Sequence, residues 1–95
     1  MKVSFNRLAE AELIAAARFL EAERKLGSAL LDEYAAWEKR VIAYPESFPE
    51  IAPGIRSGYL TRFKYHVTYA LRADGLRILY VRSARQAPLR RWSRG

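Results

Sequence analysis

The stretch GLRILYVRSARQAPLRRWSR, residues 75–94, begins as a strand and ends as a basic tail. Residues 76–81 are apolar and partly β-branched, so a strand formed by them needs cover on at least one face. The tail that follows contains five arginines and no acid. Such a run is either a core strand with a solvated basic end, or a strand that presents arginines to a polyanion or an acidic partner.

The positive charge of the chain is confined to its second half. Residues 1–50 hold 7 Lys/Arg and 9 Asp/Glu, a net of −2, whereas residues 51–95 hold 10 Lys/Arg and only Asp74, a net of +9. The two halves sum to the total of +7. This asymmetry favours the second interpretation and predicts an acidic protein or a nucleic acid as partner.

Length and composition indicate one domain, residues 1–95, with a single modest core. The chain has 51% hydrophobic residues, no cysteine and one histidine, a composition that argues against disorder, disulfides and cysteine-rich zinc sites. We predict no metal site and no cofactor. No apolar run approaches the ~20 residues that span a bilayer, and residues 1–7 do not resemble a signal peptide. The expected location is therefore the cytoplasm, with no membrane partner.

Two helices are predicted in the first half, over residues 8–26 and 28–44. Each has an apolar stripe at helical spacing: Ala9, Leu13, Ala16, Ala17 and Leu20 in the first, and Leu30, Tyr34, Trp37 and Val41 in the second. We expect Gly27 to end the first helix in a left-handed conformation and Ser28 to cap the second. Pro45 stops the second helix, so the two form an antiparallel hairpin followed by a proline-punctuated loop.

The pattern changes to strands from Ile55 onward. Residues 55–60, with a bulge at Gly58, residues 66–72 and residues 76–83 predict an antiparallel meander, the last two strands being joined by a tight turn at 73–75. Residues 2–5 form a short strand that adds to its edge. The fold class is therefore α+β, with an N-terminal strand and a helical hairpin packed on one face of an antiparallel β-sheet. The opposite face is expected to be open and to carry arginines.

No catalytic motif stands out, and His66 is isolated in the sequence. The candidate binding side chains are basic residues interleaved with aromatic ones in the second half. The basic group is Arg56, Arg62, Lys64, Arg82 and Arg85, and the aromatic group is Tyr59, Tyr65, Tyr69, Tyr80 and Trp92. Both a nucleic acid and an acidic peptide fit this composition, which does not separate them.

Several short motifs occur together in the order found in one family. They are Ala11-Glu12-Leu13 in the first helix, Leu26-Gly27 at the helical turn, Tyr44-Pro45 and Pro49 after the second helix, Ile55-Arg56 entering the sheet, Phe63-Lys64-Tyr65-His66-Val67-Thr68-Tyr69, and Arg85, Pro88, Trp92 and Arg94 in the tail. Over nearly the whole chain this layout resembles the RelE/ParE toxin superfamily of type II toxin–antitoxin systems. Lys64 stands where that family usually has proline.

The resemblance implies a growth-inhibiting toxin, of the kind used in plasmid stabilisation, that is neutralised by an acidic antitoxin. The tail resembles the ParE-like branch, which inhibits DNA gyrase and is not a nuclease. Antitoxin or target binding is then expected at Arg56, Tyr59, Arg62, Tyr65, Tyr69, Arg82, Arg85, Trp92 and Arg94. A higher-order toxin–antitoxin assembly is also consistent with the resemblance.

Two alternatives stay open. The RelE-like branch cleaves mRNA on the ribosome, and its catalytic candidates here would be His66, Arg82 and Arg85. Its late tyrosine is absent, Trp92 being the nearest aromatic residue, which favours the ParE-like branch. The other alternative is an inactive binding module that only docks an antitoxin.

Overall fold

A five-stranded sheet with two helices on one face forms the molecule, for which we describe residues 1–87 and 94–95 of a computed structural model. In chain order the elements are β1 (Lys2–Phe5), α1 (Arg7–Arg24), α2 (Gly27–Ala43), β2 (Glu50–Ala52), β3 (Ile55–Leu60), β4 (Tyr65–Arg72) and β5 (Gly75–Ser83). The predicted α+β class, with a helical hairpin on a sheet, is confirmed. In the described residues no helix is both long enough and apolar enough to cross a membrane.

The strands lie in the order β1-β5-β4-β3-β2, and β3, β4 and β5 form the predicted antiparallel meander. β1 joins the edge of β5, as expected, but runs parallel to it, so the sheet is mixed. Both helices intervene between β1 and the rest of the sheet. β1 is therefore not joined to β5 by a short turn, which would require the two strands to be antiparallel.

The loop after α2 contains a strand that we did not predict. β2 pairs with β3 at the other edge of the sheet. The Arg56 side chain fixes the loop by donating hydrogen bonds to the carbonyl oxygens of Phe48, at 2.7 Å, and Glu46, at 3.2 Å. The strand was not predicted because the three prolines of this segment indicated a loop. Proline is tolerated at sheet edges but disfavours central strands.

Trp37 lies at the centre of the core and is fully buried. Its indole packs against the rings of Tyr34, Tyr69 and Phe48 at centroid distances of 5.7, 5.8 and 6.0 Å. A side chain at Gly58 would overlap that indole, which explains glycine at this point of β3. The predicted bulge at Gly58 is wrong, because its pairing with β4 continues without a register shift.

A register shift does occur between β4 and β5, at a bulge on β5. Thr68 pairs with Tyr80 while Tyr69 pairs with Ile78, so Leu79 is the extra residue. As a result Leu79 and Tyr80 are both buried in a second, smaller cluster with Ala70. The face of the sheet away from the helices is thus partly apolar, and is not simply an open arginine surface.

The turn between the helices also differs from expectation. Lys25, with φ 57°, takes the left-handed position that was predicted for Gly27. Gly27 instead begins α2, buried so close to α1 that a Cβ would lie 2.6 Å from the Ala17 carbonyl oxygen. Ser28 makes no cap, and the Gly27 N–H donates to the Glu21 carboxylate at 3.2 Å.

Candidate functional site: a basic cleft beside the first helix

A cleft of about 560 Å³ lies between the end of α1, the β3–β4 turn and the end of β5. Its lining residues are Phe19, Leu20, Glu23, Arg24, Arg62, Phe63, Lys64, Tyr65, Ser83 and Arg85. Helix, turn and strand end all contribute, so residues far apart in the sequence meet here. The cleft is the candidate functional site.

Four cationic side chains line the cleft against a single carboxylate. Arg62, Lys64 and Arg85 come from the basic half of the chain, and Arg24 comes from α1, as does the carboxylate, Glu23. The cleft therefore carries a net charge of +3, counting these five groups. A cavity with an excess of one sign attracts a ligand of the other sign and speeds its approach.

The β3–β4 turn is held in place by α2. The Glu33 carboxylate accepts hydrogen bonds from the backbone N–H groups of Arg62, at 2.7 Å, and Phe63, at 3.3 Å. Lys64 closes the turn with φ 62°, a conformation that proline cannot adopt. Proline at position 64 is therefore incompatible with the turn as it is formed here.

The cleft also offers apolar surface. Phe19 is 60% exposed, although burial of a phenylalanine is normally favourable. Phe63 and Tyr65 are partly buried against the core, and the Arg62 guanidinium lies 4.9 Å from the centroid of the Phe63 ring. A ligand that combines negative charge with an apolar side chain matches both properties of the site.

The structure divides the predicted site residues into separate groups. Arg62, Tyr65 and Arg85 line the cleft. On the sheet face away from the helices, His66 pairs with Arg82 across β4 and β5, and the Tyr59 ring lies 4.8 Å from the His66 ring. The RelE-like candidates His66 and Arg82 are therefore neighbours, whereas Arg85 lies in the cleft. Trp92 is outside the described residues.

Arg56 and Tyr69 have internal roles. Besides its two carbonyl contacts, Arg56 forms an ion pair with Glu50 at 3.6 Å. Tyr69 is fully buried and donates a hydrogen bond from its hydroxyl to the Pro45 carbonyl at 2.7 Å. Burial raises the pKa of Tyr69, an effect that the charge of Arg56 partly offsets. The expectation that Tyr69 is available to a partner is wrong, because strand alternation places it on the helix side.

Arg94 is also engaged within the chain. Its guanidinium donates to the Glu12 carboxylate at 2.6 Å and to the Leu79 carbonyl at 3.2 Å, and lies 4.2 Å from the centroid of the Tyr80 ring. Glu12 accepts a further bond from the Val81 N–H at 3.1 Å. These contacts of Glu12 were not predicted from the sequence.

Sequence reasoning also missed Phe19, Arg24 and Glu33. A signal existed for Phe19, which falls outside the apolar stripe of α1 and so has no core to enter. Arg24 and Glu33 gave no such signal, because exposed charges are ordinary on helix surfaces. Their contribution depends on how the turn and β5 meet the helices.

Comparison with known proteins supports the fold. No protein-family model matches the sequence, and no curated protein matches it. Among solved structures, a chain of the chromosomal ParDE TA system from P. aeruginosa is similar, with a TM-score of 0.64 at 18% identity. The match covers 87% of this chain and 95% of that one. This chain and that chain therefore share a fold over most of their lengths.

Proposed function

We propose that this chain is the toxin of a type II toxin–antitoxin pair, that it inhibits DNA gyrase in the ParE-like manner, and that an acidic antitoxin neutralises it in the cytoplasm. The observation that carries the proposal is the fold shared with a chain of a ParDE TA system over most of both chains. The tail motifs of the sequence support the ParE-like branch, and the basic cleft supports an acidic partner.

The cleft suits a segment of the antitoxin. Arg62 and Arg85 offer charge to its carboxylates, while Phe19 and Tyr65 offer apolar area for one or two anchoring side chains. Charge attraction speeds association, and the buried apolar contacts keep the complex together. Tyr59 and Arg82, on the other side of the sheet, remain for contact with the target. The antitoxin and the target can thus bind to separate surfaces of one toxin, which permits a higher-order toxin–antitoxin assembly.

Expression of the chain alone should stop growth and induce the DNA-damage response, and the purified protein should inhibit DNA supercoiling by gyrase. Two variants separate the proposed surfaces. Arg82→Glu should weaken gyrase inhibition, whereas Arg62→Glu should leave it intact and reduce rescue by the antitoxin. Purified, folded protein without any effect on gyrase would contradict the gyrase assignment.

The adjacency of His66 and Arg82 favours one second candidate, a RelE-like endoribonuclease. A histidine beside an arginine can move a proton next to a group that stabilises phosphate charge. This candidate predicts rapid translation arrest and mRNA cuts on ribosomes that disappear in His66→Ala. Mapping mRNA 5′ ends after induction distinguishes it from gyrase inhibition. Absence of both effects, with antitoxin binding retained, would indicate an inactive binding module.

A further inference from the structure

A second group of cations lies at the opposite end of the sheet from the cleft, where β1, β5 and the β4–β5 hairpin meet. The register places Lys2 beside Gly75 and Gly75 beside Arg72, in one row across three strands. In the adjacent row, Ser4 lies beside Arg77. Residues directly opposite each other, and residues two apart on one strand, share a face of a sheet. Lys2, Ser4, Arg72 and Arg77 therefore share one face.

Arg77 is also paired with Ala70, which belongs to the apolar cluster on the side away from the helices. The cations thus lie on that side, at the end away from the His66–Arg82 pair. Gly75, at the centre of its row, contributes no side chain to this face. Its φ of 142° and the close approach of the Lys2 backbone, which a Cβ would overlap, require glycine here.

A hollow of about 60 Å³ lies among these residues, lined by Lys2, Ser4, Arg72, Asp74, Gly75, Leu76 and Arg77. This volume exceeds the roughly 10–15 Å³ that one water requires, so a group with several oxygens can enter. Three cations and the Asp74 carboxylate give the hollow a net charge of +2. In residues 1–87 and 94–95, no aspartate or glutamate side chain forms an ion pair with any of the three cations.

The cations are also short of other partners. Within the described parts of the chain, the side chains of Lys2 and Arg72 make no hydrogen bond, and Arg77 makes one long bond of 3.4 Å to the Gly95 carbonyl. Two guanidinium groups and one ammonium group can donate more hydrogen bonds than this arrangement uses. Neighbouring strands are roughly 4.8 Å apart, so long side chains from either side of Gly75 can reach a common oxyanion.

We propose that this hollow binds a phosphate monoester group, with Lys2, Arg72 and Arg77 as its ligands and the Ser4 hydroxyl as a further donor. A phosphate monoester carries a charge of about −1.5 to −2 at pH 7 and three acceptor oxygens, which match the net charge and the donors present. Arginine is favoured where such groups are recognised. The proposal does not depend on the proposed function.

Titration of the ¹⁵N-labelled protein with inorganic phosphate tests the site directly. The amide signals of Asp74 and Gly75 should shift and saturate at constant ionic strength. Arg72→Gln and Arg77→Gln should each weaken binding about tenfold, as expected for loss of a charge-assisted hydrogen bond. Arg40→Gln removes the same charge from the exposed surface of α2 and should have little effect. If Arg40→Gln weakens phosphate binding equally, phosphate is attracted only by the net charge of the protein, and the proposal is overturned.

Asp74→Asn is a gain-of-function test that misfolding cannot imitate. Asparagine before glycine suits the same tight turn as aspartate, and the change removes the one carboxylate that repels an anion in the hollow. We expect phosphate to bind about threefold more tightly. Binding of a phosphate monoester should also strengthen from pH 5.5 to pH 7.5, because the second ionisation of such a group has a pKa near 6. Unchanged or weaker binding by Asp74→Asn would contradict the proposed geometry.

The source of the phosphate group is either a small phosphate compound or the 5′ end of a nucleic acid strand. A trinucleotide with a 5′-phosphate distinguishes them when it is compared with its 5′-hydroxyl counterpart and with inorganic phosphate. Tighter binding of the phosphorylated trinucleotide than of inorganic phosphate assigns the site to nucleic acid ends, and equal binding assigns it to small compounds. Equal binding of the two trinucleotides would show that the monoester is not recognised and would overturn the proposal.

Discussion

Glu12 connects α1 to a part of β5 where the described residues place no strand on the β1 side. β1 pairs with β5 only as far as Ile78, so the polar backbone groups of Leu79 and Val81 on that side need other partners. The Glu12 carboxylate accepts hydrogen bonds from the Val81 N–H and from Arg94. The Arg94 guanidinium also donates to the Leu79 carbonyl. Two oppositely charged side chains thus replace a missing strand and neutralise each other.

We predict that Glu12→Ala lowers the free energy of unfolding by about 1–3 kcal/mol, because a backbone N–H and a guanidinium lose their acceptor together. Urea denaturation followed by circular dichroism measures the change. Glu10→Ala, also on α1 but exposed and without such contacts, should cost less than about 1 kcal/mol. A similar loss in both variants would show that the Glu12 contacts contribute little.

Tyr34 predicts how stability depends on alkaline pH. Burial raises the pKa of its hydroxyl well above the ordinary value, and the neighbouring Glu38 carboxylate adds to the effect. Below pH 10 the group is protonated in both the folded and unfolded chain and contributes no pH dependence. Above about pH 10 the unfolded chain loses the proton and the folded one keeps it, so stability falls as pH rises.

Tyr34→Phe should reduce the slope of stability against pH above pH 10 by up to about 1.4 kcal/mol per pH unit, the value for one proton. Urea unfolding at intervals between pH 8 and pH 11.5 gives the slope. Tyr44→Phe is the matched control, since Tyr44 is 70% exposed, and should leave the slope unchanged. An unchanged slope in Tyr34→Phe would show that Tyr34 ionises alike in both states.

At the scale of elements, the turn between α1 and α2 has its two special residues in unexpected order. Lys25 adopts a left-handed conformation, which has a steric cost for this residue. Gly27 is needed where α1 and α2 approach closely. We predict that Lys25→Gly raises stability by about 0.5–1 kcal/mol, because it relieves that cost. Gly27→Ala should lower it by about 1–3 kcal/mol, because the added methyl meets the Ala17 carbonyl. Thermal denaturation of both variants checks the assignment, and the reverse order of stability would contradict it.

Periodicity was sufficient to predict most elements. The apolar stripes of α1 and α2, and the alternation along β4, place Leu13, Trp37 and Val67 in the core, where the structure has them. The parallel direction of β1 and the bulge at Leu79 were not predictable, because each depends on contacts between segments distant in sequence. β2 was missed because its few residues lie between prolines, and its pairing depends on β3.

The site was less predictable than the fold. Composition indicated the basic half of the chain, and it drew attention to Arg62 and Arg85, which line the cleft. It could not show that Arg56 and Arg94 bind groups within the protein, since an arginine has the same sequence signature in either role. Nor could it bring Phe19 of α1 to these arginines, because that contact exists only after the helical hairpin packs on the sheet.

At the scale of the whole molecule, the excess positive charge is distributed over distinct surfaces. One group lines the cleft beside α1, another lies around the hollow at the β4–β5 hairpin, and Arg82 lies on the sheet between them. Arg56 and Arg94 are compensated by Glu50 and Glu12. The charge at any one of these surfaces is therefore smaller than the net charge of the chain. An acidic segment in the cleft would neutralise only part of that net charge.

That distribution predicts which charges govern binding of the acidic antitoxin that the proposed function implies. Arg62→Glu and Arg85→Glu should slow association by about tenfold at low salt, because they reverse charge in the cleft and oppose electrostatic steering. Lys39→Glu changes the net charge equally on the exposed surface of α2 and should slow association much less.

Surface plasmon resonance across 50–500 mM salt separates steering from contact. Raising salt should slow association of the wild type much more than it speeds dissociation, since screening acts on long-range attraction and not on buried apolar contacts. Phe19→Ala should do the opposite, with faster dissociation and nearly unchanged association, because it removes apolar area without changing charge. If Lys39→Glu slows association as much as Arg62→Glu, or if Phe19→Ala leaves dissociation unchanged, the antitoxin binds elsewhere than in this cleft.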